Sequence, residues 1–331
     1  MSKVGIVDVA AEANVSPATV SRVINNRGIV SPETRRNVED AMRRVGYTRG
    51  TSGDLVALIV PHLVDPFFGL ISEQLGLALS PLGMRALVCS APAGPVQEFE
   101  FISSLSEAGI AGAVFVSASN TLEGADTSAA RLLEKRRTPF VCINGGFAGV
   151  PAPTLSTNDE LAAEISVEHL WDLGHRRIGL IAGPIGNRPS DRRVRGFERA
   201  MRKRGGSGAV VRSHYSIEGG YSAASQLIED GVTAIVAASD DMALGTIRAA
   251  RWLGRRVPED LSIVGYDDAY PFEFVDPPLT TVRQPIDRLA KAVAPILSRL
   301  VQGERMADGE LLFDPELIPR ASTTPPSEKV S

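Results

Sequence analysis

Cysteine and long apolar runs are both scarce in this chain of 331 residues. Its two cysteines, Cys89 and Cys142, are too few for a disulfide framework or a cysteine-based zinc site. Both lie in apolar runs that are typical of buried strands. No apolar run approaches the roughly 20 residues that a membrane helix needs, and charged residues follow Met1 too soon for a signal peptide. We therefore expect a cytoplasmic protein that makes no contact with a membrane.

Patterns typical of enzymes are scarce as well. The four histidines lack the spacing of metal ligands, and no serine lies in a nucleophile-elbow motif. The acidic pairs Asp240-Asp241 and Asp267-Asp268 are expected to be solvated or capping residues, because neighbours in sequence point apart on a strand or a helix. We therefore predict no catalytic residue, no metal site and no cofactor.

The net charge of −4 is unevenly distributed along the chain. Residues 1–50 carry eight basic and five acidic side chains, so this segment is positively charged and the remainder is more negative than the whole. A small basic segment on an acidic body is typical of a protein that contacts a polyanion at one end. The chain is also long enough for two or three domains.

The first fifty residues predict three short helices. Residues 7–13 have apolar side chains at helical spacing, and Asn14 tolerates the left-handed backbone of a tight turn. Ser16-Pro17 begins a second helix that runs to about Asn25, and Ser31-Pro32 begins a third. Two short helices joined by a tight turn form a helix-turn-helix unit, in which the second helix enters the major groove of DNA.

The second helix carries the residues that we expect to contact DNA. Pro17, Ala18 and Arg22 would face base edges, and of these only Arg22 can make a bidentate contact, for which guanine is favoured. Phosphate contacts set the register without reading the sequence, and the residues expected to make them are Ser16, Thr19, Ser21 and Asn25. The pattern alone leaves open a small helical subdomain with no role in DNA binding.

Beyond residue 54, short apolar runs alternate with helical stretches. The runs that predict strands are residues 55–60, 85–89, 112–116, 140–143, 178–182, 234–238 and 262–266. This alternation predicts an α/β fold of parallel sheets with crossover helices, and ligands at the carboxyl ends of the strands. Because the strands are too many for one compact sheet, we expect two α/β lobes.

Residues 8–25 (DVAAEANVSPATVSRVIN) and 30–35 (VSPETR) closely resemble the LacI/GalR family of bacterial transcriptional regulators. The body matches at several further segments, among them 174–178 (GHRRI), 239–243 (SDDMA) and 265–268 (GYDD). The resemblance implies a homodimeric repressor whose head binds operator DNA. It also implies a two-lobed, periplasmic-binding-protein-like body that binds a small-molecule effector, with a sugar or related metabolite expected. The alternatives are a cytoplasmic sugar-binding protein or a sugar-active enzyme with a vestigial DNA-binding head.

The hinge between head and body departs from the family pattern. Family members have a short helix there, ending in Ala-Arg-Ser-Leu, which opens the minor groove at the operator centre. That element is absent, and a flexible linker rich in Gly, Ser and Thr remains. The predicted organisation is a helix-turn-helix domain at residues 1–47, a shortened linker at 48–54, an effector-binding and dimerisation domain at 55–323, and a disordered tail at 324–331.

Carried over by position, the resemblance places Asp65 and Phe68 on one side of the effector cleft. The residues implied on the other side are Ser190, Arg193, Tyr215, Ser239 and Asp267. Carboxylates accept hydroxyl hydrogens, a guanidinium donates in a fixed fork, and aromatic rings cover apolar sugar faces, so this set fits a neutral polyhydroxy ligand. Arg193 is expected to face Asp267 across the ligand, so that neither charge is buried alone.

Two positions in the body differ from the family pattern in ways that bear on the identity of the effector. Ser239 stands where the family often has Asn. Asn158-Asp159 inverts the usual Asp-Asn pair.

Overall fold

The computed structural model of the chain describes residues 6–24, 30–45, 54–306 and 309–327. Contacts divide the chain into two compact units, a head of residues 1–54 and a body of residues 55–331. Apart from Asp54, the predicted linker at 48–54 lies outside the described residues. None of the helices described in these ranges is long and apolar enough to span a membrane.

The described part of the head contains the three predicted helices, α1 (Ile6–Ala13), α2 (Pro17–Ile24) and α3 (Pro32–Arg44). Asn14 adopts a left-handed φ of 52° between α1 and α2, which confirms the predicted turn. Ser31 caps α3, since its side-chain oxygen accepts a hydrogen bond from the Thr34 N–H at 3.1 Å. All three helices contribute to a small core of Val9, Ala10, Ala13, Val20, Val23, Val38 and Ala41.

The body alternates strands and helices along most of its length. In chain order its elements are β1 (Leu55–Val60), α4 (Pro66–Leu79), β2 (Arg85–Ser90), α5 (Pro95–Ala108), β3 (Gly112–Val116), α6 (Ser128–Arg136), β4 (Phe140–Ile143), β5 (Thr154–Thr157), α7 (Asp159–Asp172), β6 (Ile178–Ala182), α8 (Arg188–Lys203), β7 (Ala209–Arg212), α9 (Ile217–Glu229), β8 (Ala234–Ala237), α10 (Asp240–Trp252), β9 (Ser262–Asp267), β10 (Thr280–Arg283), α11 (Ile286–Val301), β11 (Glu310–Phe313) and β12 (Glu316–Ile318).

These strands form two sheets, which define two lobes and confirm the predicted α/β body. The N-terminal lobe has the strand order β11-β5-β4-β3-β1-β2, and the C-terminal lobe has the order β12-β10-β9-β8-β6-β7. Among the described pairs, β10 with β12 is antiparallel and the others are parallel. The chain crosses between the lobes after β5, after β10 and after β11. Because three short segments join the lobes, one lobe can rotate against the other.

Apolar faces of the helices cover both sheets. In the N-terminal lobe, α11 packs its buried face, including Leu289, Val293 and Leu297, against α4, β4 and β5. Gly112 permits this approach, because a Cβ there would lie 2.9 Å from a methyl carbon of Leu297. The C-terminal lobe has one apolar cluster on each side of its sheet, and both faces are therefore shielded from water.

Order extends past the predicted boundary at residue 323. The Thr324 carbonyl accepts hydrogen bonds from the Ser262 hydroxyl at 3.0 Å and from His175 Nε2 at 2.8 Å. The Thr324 N–H donates to the Ser262 oxygen at 3.0 Å. The prediction of disorder from residue 324 is therefore wrong for Thr324, because these bonds attach it to the start of β9. Residues 328–331 lie outside the described part of the chain.

Candidate functional site

A cavity of about 370 Å³ lies between the two lobes of the body. Its wall is formed by segments that follow the carboxyl ends of β1, β2 and β3 in the N-terminal lobe and of β6, β8 and β9 in the C-terminal lobe. This is where parallel α/β sheets bind their ligands. The lining is mainly apolar, with a few polar groups directed at one space, as in most small-molecule sites.

The structure brings six of the seven predicted effector-binding residues to this cavity: Asp65, Phe68, Arg193, Tyr215, Ser239 and Asp267. Ser190 does not line it. Its side chain is fully buried near the start of α8, and its N–H donates to the capping side chain of Asn187 at 3.1 Å.

Arg193 is paired directly with Asp159, while Asp267, which was expected to face it across the ligand, lines the same cavity. Its Nη1 donates to Asp159 Oδ1 at 2.6 Å, its Nη2 donates to the Tyr215 hydroxyl at 2.7 Å, and its guanidinium lies 4.2 Å from the centre of the Tyr266 ring. The Tyr266 hydroxyl donates to the same Asp159 oxygen at 2.9 Å. Asp159 was not among the predicted site residues, although the inverted Asn158-Asp159 pair pointed to this position.

Close packing of α7 and α8 explains the pairing of Arg193 with Asp159. Gly196 lies on the face of α8 that meets α7, and a Cβ there would be 2.2 Å from the Glu160 carbonyl oxygen. This close approach brings Asp159, the first residue of α7, beside Arg193 in the second turn of α8. A charge pair buried at this depth needs further hydrogen bonds to offset its desolvation, and the two tyrosine hydroxyls supply them.

Asp267 ends β9 with one oxygen engaged in the protein. Its Oδ1 accepts a hydrogen bond from Gln284 Nε2 at 2.6 Å, and its backbone has a strained φ of 121°. Burial raises the pKa of Asp267 well above its usual range, and the nearby carboxyls of Asp65 and Asp240 add to the rise. A hydroxyl of a bound ligand could donate to this carboxylate without bringing in further charge.

Asp240 was expected to be a solvated or capping residue, but it is 1% exposed. Its Oδ1 accepts from the Thr281 hydroxyl at 2.6 Å, and its Oδ2 accepts from the Ala269 N–H at 3.0 Å. Burial raises the pKa of Asp240 to about 7. Its role is structural, because it ties α10 to β10 and to the loop after β9.

The N-terminal lobe presents an aromatic wall to the cavity. The Phe68 ring makes edge-to-face contacts with His62 and Phe67, with centroids 5.0 and 5.2 Å apart. Asp65 caps α4 by accepting from the Phe67 N–H at 2.9 Å, and burial raises its pKa. Glu98, which sequence reasoning did not select, also lines the cavity and accepts hydrogen bonds from the Ser119 N–H and hydroxyl.

The predicted DNA-contacting residues that the structure describes lie on α2 and at its N-cap in the head. Pro17, Ala18 and Arg22 are exposed, whereas Val20 and Val23 of the same helix are buried. Ser16 caps the helix by accepting from the Thr19 N–H at 3.1 Å, and the two hydroxyls are 2.9 Å apart. Ser21 is partly buried. Asn25 lies outside the described residues.

Comparisons with known proteins agree with both parts of this arrangement. Residues 5–50 match the model of bacterial regulatory proteins of the lacI family, and residues 167–323 match a periplasmic binding protein-like domain. Over 330 residues the chain is 40% identical to the HTH-type transcriptional regulator MalR of Streptomyces coelicolor, covering 96% of each protein. The chain belongs to the LacI family of bacterial transcriptional regulators. It is also 34% identical to the HTH-type transcriptional repressor CytR of Escherichia coli, covering 96% of this chain and 95% of that protein.

Solved structures of other LacI-family proteins have the same fold as this chain. A complex of the transcriptional regulator CelR with cellobiose matches with a TM-score of 0.74 at 30% identity, covering 96% of this chain and 99% of that one. The lac repressor dimer bound to operator and the anti-inducer ONPF matches with a TM-score of 0.74 at 28% identity, covering 98% and 100%. The head of this LacI-family regulator is therefore a DNA-binding helix-turn-helix unit, and its body has the periplasmic-binding-protein-like fold.

Direct contacts join the two lobes of this LacI-family body beside the cavity. Arg192 on α8 forms a bidentate ion pair with Glu310 on β11, with both N–O distances at 2.6 Å. Arg188 Nη1 donates to the Gly146 carbonyl at 2.7 Å, and the Glu123 N–H donates to the Gly186 carbonyl at 2.7 Å. These contacts join the two lobes on either side of the cavity.

Proposed function

We propose that this LacI-family chain is a homodimeric cytoplasmic repressor whose operator affinity is controlled by an uncharged sugar bound between the lobes. The observation that supports this proposal is the cavity of about 370 Å³, in which hydrogen-bonding groups of one lobe face the aromatic wall of the other. Such a cavity accommodates a ligand of mono- to disaccharide size. The similarity to the CelR–cellobiose complex supports a sugar as the ligand class.

Each side of the cavity has a separate role in the proposal. Arg193, Tyr215 and Asp267 hold the sugar hydroxyls, while Phe68 covers an apolar face of the ring. The proposed ligand contacts both lobes at once, so it stabilises one relative orientation of them over another. The orientation of the lobes then sets the spacing of the two heads in a dimer, and with it the affinity for an operator of two half-sites.

In the head, we assign base reading to the exposed side of α2. Arg22 makes the bidentate contact with guanine, with Pro17 and Ala18 beside it, and Ser16, Thr19, Ser21 and Asn25 hold phosphates. Pairing of two heads in a homodimer doubles the number of base contacts, because one short helix reads too few bases for specificity.

The proposal is tested by selecting genomic DNA fragments with the purified full-length protein and titrating the bound operator with neutral sugars. Fluorescence anisotropy at fixed salt measures the operator affinity, since protein–DNA affinity depends steeply on ionic strength. We expect at least one sugar to change this affinity by about five- to 150-fold, the usual range of allosteric coupling. We also expect that sugar to be recovered chemically unchanged.

Two outcomes would contradict the proposal. A protein that selects no genomic fragment, with or without sugars, is not an operator-binding regulator. A protein that converts the sugar into a product supports the alternative of a sugar-active enzyme.

The shortened linker at residues 48–54 predicts a further difference at the operator. Because the element that wedges open the minor groove is absent, the bound operator should lack a sharp central bend. Gel mobility of circularly permuted operator fragments measures this bend directly. A kink at the operator centre would show that another part of the chain supplies the wedge.

A further inference from the structure

The charged side chains around the cavity are unbalanced. Among the described residues of its wall, the basic groups are the Arg193 guanidinium and the His62 imidazole, and no lysine is present, whereas Asp65, Glu98 and Asp267 are carboxylic acids. Burial raises the pKa of each of these three acids. The surface that meets a ligand is therefore rich in acceptors and short of positive charge.

The charge of Arg193 is already compensated from behind. Asp159 is 1% exposed, does not line the cavity, and binds Nη1 of Arg193 at 2.6 Å. The Tyr266 hydroxyl, at 2.9 Å, holds the same carboxylate oxygen in place. Arg193 still lines the cavity, and its in-plane N–H groups can donate hydrogen bonds there, but as half of a neutral pair.

An anionic ligand would enter such a cavity at a disadvantage. It would lose its hydration in a region of low dielectric, and Asp65 and Asp267 beside it supply no positive charge to compensate for that loss. The guanidinium opposite could not offset this cost, because its own charge is cancelled by Asp159. An uncharged sugar meets no such penalty, since its hydroxyls donate to the carboxyl oxygens and accept from Arg193.

We infer that Asp159 determines the charge of the effector: by neutralising Arg193 from behind, it restricts the cleft to uncharged sugars and excludes sugar phosphates and sugar acids. This inference rests on the proposed function, since it concerns the ligand of the same site. The inverted Asn158-Asp159 pair is the sequence feature that places a carboxylate at this position. An Asn at 159 would keep a hydrogen-bond acceptor for Arg193 while leaving the guanidinium charge uncompensated.

The test compares wild-type protein with Asp159→Asn by isothermal titration calorimetry. The probes are maltose and cellobiose, each paired with its 6′-phosphate. For the wild type we expect at least one neutral disaccharide to bind ten times more tightly than its phosphate. In D159N we expect the ratio of the two affinities to shift by at least tenfold toward the phosphate.

A matched control is Asp172→Asn, which makes the same chemical change at an exposed position of α7 and should leave the ratio unchanged. Asp159→Ser is a second neutral replacement, used if D159N loses its cooperative melting transition. The inference is overturned if the wild type binds the phosphates as tightly as the neutral sugars, if it binds neither neutral disaccharide, or if the neutral replacements at 159 do not shift the ratio. If a neutral sugar bound tightly without changing the affinity for operator DNA, the proposed function would be refuted and this inference would stand.

Discussion

The head and the body use arginine in opposite ways. In the head, Arg22 projects from the exposed side of α2, and the core beneath it is made only of aliphatic side chains. In the body, Arg193 is 7% exposed and is held by Asp159, Tyr215 and Tyr266. Removing the side chain of Arg22, the proposed DNA-reading arginine, should therefore leave the fold intact. Arg193, the proposed sugar-binding arginine, is part of the buried core, so its removal should also lower the stability of the body.

The difference follows from the ligands that the two regions are proposed to bind. Operator DNA is large and charged, so an arginine that reads it can remain solvated until the complex forms. A small neutral sugar offers little surface, and it is bound well only by groups that are ordered and desolvated beforehand. Ordering a charge inside the protein requires a counter-charge, which Asp159 supplies.

The largest expected effect is that of Arg193→Ala. It should abolish the response of operator binding to sugar and lower the free energy of unfolding of the body by about 3–5 kcal/mol, because Asp159 is left as an uncompensated buried charge. Urea denaturation measures the loss of stability, and anisotropy titration measures the loss of the sugar response.

Arg195→Ala is the matched control on the same helix. Its ion pair with Glu160 is exposed, so the loss of this pair should cost less than about 1 kcal/mol. If R193A retained the response of operator binding to sugar, Arg193 would not be a sugar-binding residue.

A smaller effect is expected from pH, and it should be confined to the body. The folded-state pKa of Asp240 is about 7, above the value of about 3.9 expected for an unfolded chain. Between these pKa values the folded protein holds a proton that the unfolded protein has released, so the stability contributed by protonated Asp240 is full below about pH 4 and is lost as the pH rises to 7. The loss attributable to Asp240 is about 4 kcal/mol at most, at about 1.4 kcal/mol for each pH unit in this window.

Asp240→Asn should flatten this dependence, as followed by urea denaturation of the full-length protein from pH 4 to pH 8. Asp276→Asn, at a side chain that is 98% exposed, is the control and should leave the curve of the wild type unchanged. If D240N and the wild type lose stability in parallel over this range, Asp240 is not the group responsible.

The smallest expected effect is that of Arg22→Ala in the head. Loss of one bidentate base contact should cost about 1–3 kcal/mol of operator affinity and relax the preference at one base pair. Sugar binding and thermal stability should be unchanged, because the side chain is exposed. The control is Arg36→Ala, an exposed arginine on α3, which should leave the ratio of operator to scrambled-DNA affinity as it is. Equal ratios for R22A and the wild type would remove Arg22 from the base-reading set.

Local patterns were sufficient for much of the architecture. The Ser-Pro starts at Ser31-Pro32 and Ser16-Pro17 fixed helix starts, and Asn14 fixed the turn, because capping and left-handed backbone depend on a few neighbouring residues. The alternation of apolar runs with helical stretches predicted two α/β lobes for the same reason. Order at Thr324 escaped prediction, since it depends on bonds to Ser262 and His175, which are distant in sequence.

The candidate site was predicted less completely than the fold. Six of the seven side chains predicted by position line the cavity, but the direct partner of Arg193, Asp159, was not identified, and Asp240 was expected to be a solvated or capping residue. Both errors concern which charges meet in three dimensions. Neither the spacing of the residues nor their type contains that information.

The amino-acid sequence by itself determined the three-helix head, the two-lobed α/β body and the class of regulator, because each depends on local periodicity and on motifs in fixed register. Only the tertiary structure decided which carboxylate neutralises Arg193. That pairing arises where Gly196 lets α7 and α8 approach closely, and it joins residues 34 positions apart in the chain. Electrostatic compensation of a buried charge is a property of packing, and packing is set by the whole fold.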